Sequence, residues 1–184
     1  MASSPLPLHP LGWKAADFRL PGVDGKDYSL NDIRGRRGTI VMFICNHCPY
    51  VKAIVERLAK DINELTAKGI GAIAIMPNDP VRQPEDSFDN MKLVAKAHKF
   101  SFPYVIDESQ QTARDYGAVC TPEFFGFDAA LSLQYHGRFD SAGKGPAVPG
   151  TKRELVEAML AIAATGKGPA QQVPSIGCSV KWRE

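Results

Sequence analysis

The sequence predicts an α/β protein organised around one parallel strand–helix–strand unit, and three observations carry that expectation. Gly38-Thr39-Ile40-Val41-Met42-Phe43-Ile44 is a continuous apolar run, the pattern of a strand buried on both faces. Val51, Ile54, Val55, Leu58, Ile62 and Leu65 follow at helical spacing, with Gly69 as the stop. Ile70-Gly71-Ala72-Ile73-Ala74-Ile75 is a second buried run, and a helix between two such strands makes a parallel crossover.

The remaining elements follow in order. Residues 1–37 form an extension in which Asp17 to Leu20 and Lys26 to Leu30 flank Pro21-Gly22-Val23-Asp24-Gly25. Its Pro and Gly residues supply turn geometry, so a β-hairpin is expected there. Pro77 to Pro84 reads as a polar connection, after which Asp86 or Ser87 caps a helix running to about Lys99. Pro103 to Ile106 is short and extended, and a further short helix fits Ser109 to Tyr116. Glu123 to Asp128 and Leu131 to Gly137 pattern as two antiparallel strands around a tight turn. Thr151-Lys152-Arg153-Glu154 reads as a capping box before an alanine-rich helix ending near Gly166. Residues 38–166 are therefore the core. Residues 167–184, with Pro169 and Pro174, are expected to be a coil tail packed back through Val173, Ile176 and Trp182.

Composition narrows the class. A chain of 184 residues that is 44% hydrophobic and 23% charged suits one domain, residues 1–184, with a sizeable core. The net charge of +2 comes from 22 basic and 20 acidic residues mixed along the chain, which favours neither nucleic acid nor a membrane surface. The first ten residues lack the basic start and apolar stretch of a secretory signal, and a cytoplasmic location is expected. Four cysteines are too few for a stapled secreted scaffold, and in a reducing compartment a close pair is catalytic or redox-sensing rather than structural. No Gly-x-Gly-x-x-Gly follows a strand, so neither flavin nor nicotinamide is expected as a cofactor.

Chemistry concentrates in Ile44-Cys45-Asn46-His47-Cys48-Pro49, two thiols at the N-terminus of the crossover helix. Free amides and the positive end of the helix dipole stabilise a thiolate, the reactive form of cysteine. A zinc half-site would need a second close Cys or His pair, which is absent. Haem attachment would need His after the second cysteine, where Pro49 stands. A redox pair is the reading that remains preferred, and no metal site is assigned.

Strand, C-x-x-C, helix, strand, then a distant Thr121-Pro122, a strand pair and a final helix is the order of thioredoxin-fold proteins. The hairpin segment Ala16 to Leu30, Phe43-Ile44-Cys45-Asn46-His47-Cys48-Pro49-Tyr50-Val51, Cys120-Thr121-Pro122 and Pro174-Ser175-Ile176-Gly177-Cys178-Ser179-Val180-Lys181-Trp182 extend the likeness over nearly the whole chain. Together they resemble a peroxiredoxin-like family, redoxins of the AhpC/TSA type. The resemblance implies a thioredoxin fold with a central mixed sheet flanked by helices, and a cis Pro122 packed on the redox pair. It also implies that Asn46, Pro49 and Thr121 shape a substrate groove. Two departures stand out. Where peroxiredoxins carry Pro and Thr or Ser ahead of the peroxidatic cysteine, this chain has Val41 and Cys45 before Cys48, and Pro122 stands at the distant Arg position. Thioredoxins carry a buried acid on the preceding strand, and none lies between Gly38 and Ile44.

The expected reaction is thiol–disulfide exchange, with Cys45 as the more exposed, attacking thiol and Cys48 resolving the mixed disulfide. His47 is expected to stabilise the thiolate, raising the potential above thioredoxin's value of roughly −270 mV toward the isomerase range of about −180 mV. Cys120 and Cys178 are candidate third or resolving thiols. The partner is a protein or small-molecule thiol or disulfide, with a thioredoxin or glutathione system as the candidate. Two alternatives stay open: a thiol peroxidase using Cys48, and a Cu- or Zn-binding module with His136 as a remote ligand. Arg138 and Asp140 read as a surface pair.

Overall fold

All five residues of Thr39–Phe43 are buried, which places this strand inside a five-stranded sheet rather than at its edge. The computed structural model describes residues 2–3 and 8–184. Residue 1 and residues 4–7, on which the expected absence of a leader partly rests, lie outside the described residues. In chain order the elements are β1 (Ala2–Ser3), β2 (Arg19–Pro21), β3 (Asp27–Ser29), α1 (Leu30–Ile33), β4 (Thr39–Phe43), α2 (Pro49–Thr66), β5 (Gly71–Met76), α3 (Phe88–Ala97), β6 (Tyr104–Ile106), α4 (Gln111–Tyr116), β7 (Cys120–Thr121), β8 (Glu123–Phe127), β9 (Leu133–Gly137), α5 (Glu154–Thr165) and β10 (Ile176–Ser179). A 3-10 turn, Pro84–Asp86, leads into α3.

The main sheet runs β6-β5-β4-β8-β9. β4, β5 and β6 are parallel, while β8 lies antiparallel to both β4 and β9, so the sheet is mixed. Alternation along β4 divides the core. Ile40, Met42 and Ile44 pack with Ile54, Leu58 and Ile62 of α2 and with Met159 and Ile162 of α5. Val41 and Phe43 face the other side, with Ile73, Phe125, Phe127 and the α4 residues Ala113 and Tyr116. The N-terminal hairpin forms as β2 paired with β3.

Three local expectations are corrected. The tail is not all coil: Ile176–Ser179 is a strand, antiparallel to β7 on one edge and to β1 on the other. Its short, partly polar run carries no helical period and only tertiary pairing makes it extended. The box at Thr151 does not form; α5 is preceded by Arg153 without a side-chain cap, and Thr151 Oγ1 instead accepts the Val148 amide. A capping box does form at Ser29 and Asp32, opening α1. Arg138 and Asp140 are not partners, since Arg138 pairs with Glu154 and Asp140 with Arg57 of α2.

Candidate active site

α2 opens with Pro49, which loses nothing at the first helical position because that amide would lack a partner anyway. Cys48 is consequently the N-cap, and Cys45 lies three residues earlier, just past the end of β4. The Thr121–Pro122 bond is cis and sets Thr121 against both sulfurs. Cys45 Sγ is 3.1 Å from Thr121 Oγ1, and Cys48 Sγ is 3.2 Å from the Thr121 carbonyl. Cys178 Sγ of β10 completes the cluster at 2.8 Å from Cys48 Sγ.

The sequence predicts Cys45 to be the more exposed thiol of the pair, but neither is open to a partner: Cys45 is 1% exposed and Cys48 0%. Hydrogen bonds to the Cys45 and Cys178 thiols, aided by the Val51 and Cys178 amides, hold Cys48 down to about 4 despite its burial. Burial, the bond to Cys48 and the charge of Asp86 push Cys45 far above the thiol range. Cys178 is raised to about 11, by burial first and then by its bond to Cys48. Cys120 is also pushed up, by burial and by the Glu123 carboxylate. It is fully buried, 3.8 Å from Glu123 Oε2, and Glu123 also binds His136 at 2.7 Å.

Asp86 is the acid that no residue of the preceding strand supplies. Its Oδ1 accepts the amides of Asn46 (2.7 Å) and His47 (3.1 Å), and its Oδ2 binds His47 Nδ1 (2.6 Å) and Asn78 Nδ2 (2.7 Å). His47 is therefore turned onto a carboxylate, and Asp86 itself is wholly buried. Asn46 is held as well, with Tyr104 Oη donating to its Oδ1 and its Nδ2 donating to the Glu85 carbonyl. From the sequence Asp86 reads only as a helix-cap candidate; nothing local distinguishes it from a surface acid.

Of the groove residues, Asn46 and Thr121 are buried and Pro49 is exposed. Pro122 borders an apolar cavity of about 220 Å³ with Tyr50, Ile54, Phe124, Phe139 and Ile176. Among the described residues, Cys45, His47 and Asp86 are the group whose donor atoms could approach one ion. The two Asp86 oxygens already take four donors, so the set fits a hydrogen-bond network better than a metal.

A central mixed sheet, a C-x-x-C pair at a helix start and a cis-proline loop beside it define a thioredoxin-fold protein. The AhpC/TSA family model matches residues 11–136, and the chain belongs to that family. It is similar to a solved protein of Geobacillus kaustophilus described as an uncharacterized conserved protein, with 40% identity, a TM-score of 0.90, and coverage of 98% of this chain and 95% of that one. A Mycobacterium tuberculosis protein named "Putative peroxiredoxin" is 24% identical over 115 residues, covering 62% of this chain and 68% of that protein. The thioredoxin domain of a thiol-disulfide oxidoreductase from Bacteroides vulgatus shares the fold at a TM-score of 0.57, with 21% identity over 70% of this chain and 88% of that one. Among the described residues no helix is long and apolar enough to cross a membrane.

Proposed function

We propose that this chain is a thiol–disulfide oxidoreductase whose reactive thiolate is Cys48, with Cys45 as the partner that closes and opens its disulfide. The carrying observation is the placement of Cys48: a helix N-cap sulfur 2.8 Å from Cys178 Sγ and three residues from Cys45, with the neighbouring thiols holding it below the ordinary thiol range. Within the pair the nucleophile is Cys48 rather than Cys45, because burial and the Asp86 charge keep Cys45 protonated. A stabilised thiolate favours the dithiol form, so the pair is the more oxidising of the two poises considered, nearer the isomerases than thioredoxin. A glutathione or thioredoxin system is the partner that fits this reading. A cytoplasmic setting, where such systems keep thiols reduced, belongs to it too.

Peroxide reduction at Cys48 is the competing reaction. Val41, Cys45 and Pro122 occupy the positions where a hydroxyl and a guanidinium would polarise a peroxide. Equilibration against glutathione buffers, with mass-spectrometric mapping of every disulfide, separates the two. A Cys48 disulfide in equilibrium with glutathione supports exchange. Rapid oxidation of Cys48 by hydrogen peroxide, with no disulfide equilibrium against glutathione, overturns it.

A further inference from the structure

Cys45, Cys48 and Cys120 are all buried, whereas Cys178 is partly exposed and touches Cys48. From this we infer that Cys178 is the entry thiol: partner disulfides and thiols react first at Cys178, and the disulfide then passes inward to Cys48 and Cys45. The inference rests on the exchange reading above and names the route by which a partner reaches it.

The route is built by β10. Its register sets Cys178 opposite Thr121, the residue whose carbonyl and hydroxyl lie against Cys48 and Cys45. Gly177 allows the close approach, since a Cβ there would sit 2.0 Å from the Thr121 carbonyl oxygen. The strand is tied on both sides. Ser175 Oγ donates to the Gly137 carbonyl, the Val180 amide to Val119, and the Lys181 amide to Asn78 Oδ1. Asn78 in turn donates to Asp86, so the strand carrying Cys178 and the loop carrying Cys45 share one buried polar network. A tail that merely covered the site would not need its one cysteine 2.8 Å from the reactive sulfur.

The chemistry balances with a disulfide RSSR′ as the oxidant. Cys178 passes its proton to the Cys48 thiolate 2.8 Å away and attacks one sulfur; the S–S bond breaks and R′S⁻ leaves, taking that proton from Cys48 to depart as R′SH. The Cys48 thiolate attacks Cys178 Sγ, forming the Cys48–Cys178 disulfide and releasing RS⁻. Cys45 then attacks Cys48 Sγ and displaces Cys178, and the proton Cys45 gives up balances the one Cys178 takes back. Two protein thiols are oxidised and one disulfide is reduced to two thiols. In reverse, an outside thiolate attacks Cys178 of the Cys48–Cys178 disulfide and expels Cys48, a good leaving group because its thiolate is stable.

The test uses the full chain and oxidised glutathione. In the Cys45→Ser, Cys48→Ser double variant, the glutathione adduct is expected on Cys178, located by peptide mapping. In Cys178→Ser, the rate of exchange should fall by at least about tenfold, while the Cys45–Cys48 disulfide still forms on long incubation. An unchanged rate in Cys178→Ser, or an adduct mapped to Cys120 or absent from Cys178, overturns the entry role. Failure of the wild-type chain to exchange at all overturns the exchange reading with it; full-rate exchange without Cys178 overturns the entry role alone.

Discussion

Two thiols separated by two residues ionise in opposite senses because their surroundings differ in kind. Both are buried, but Cys48 caps a helix beside the Cys45 and Cys178 thiols, whereas Cys45 faces the Asp86 charge. Thiolate absorbance near 240 nm should therefore titrate with a midpoint near 4, and Cys48→Ser should abolish that step. A midpoint near the ordinary 8.5 would show that Cys48 is not the stabilised thiolate. The sign for stability follows from linkage. A group with a lowered folded value binds fewer protons when folded, so the reduced fold gains stability as pH rises from about 4 to about 9 and loses it on acidification through about 4. Asp86 ties two loops, those of Asn46–His47 and Asn78, to its own. Asp86→Ala should cost about 3 kcal/mol or more in urea unfolding, because the Asn46 and His47 amides and the Asn78 amide group lose their buried acceptor. Asp86→Asn should cost less and, by removing the charge that pushes Cys45 up, make Cys45 ionise more readily, read as faster alkylation of Cys45 at a given pH.

The element that decides access is β10. It occupies the free edge of β7, so no partner strand can pair there while the tail is seated. Gly177→Val should lift the strand from Thr121 and speed alkylation of Cys48 by at least about tenfold, scored residue by residue with iodoacetamide. Unchanged protection of Cys48 would mean that something other than β10 seals it. The crossover helix is positioned just as locally, with Pro49 starting it and Leu58 and Ile62 burying its inner face completely. These features follow from spacing alone, which is why its position is legible in the sequence. The missed cap at Arg153 shows the limit: Thr151 has the right residue type, but its hydroxyl serves the preceding loop.

At the scale of the molecule, two cores press on one sheet, and the site lies where the C-terminal ends of β4 and β5 meet the cis-proline loop. Leu58→Ala, which removes a wholly buried side chain between α2 and the sheet, should cost about 2–5 kcal/mol in chemical denaturation. A loss below about 1 kcal/mol would mean the core relaxes around the void. The hairpin, the crossover and the Cys45–Cys48 pair were readable from periodicity and motif, because each depends on nearby residues, whereas the mixed sheet followed only from the family resemblance, since β4 pairs with β8 across 80 or more residues. Asp86, Asn78 and the contact of Cys178 with Cys48 were not. Asp86 lies some 40 residues from the Cys45 loop it holds, and Cys178 lies 130 residues from Cys48. By itself the sequence determined the order of the main-sheet strands and their helices from β4 to α5, the family resemblance and the presence of redox-capable thiols, since apolar period and residue type act locally. Which thiols are buried, which acid holds the loop and which cysteines touch were decided only by tertiary structure. Burial, charge and sulfur–sulfur distance are properties of packing, and no local pattern encodes them.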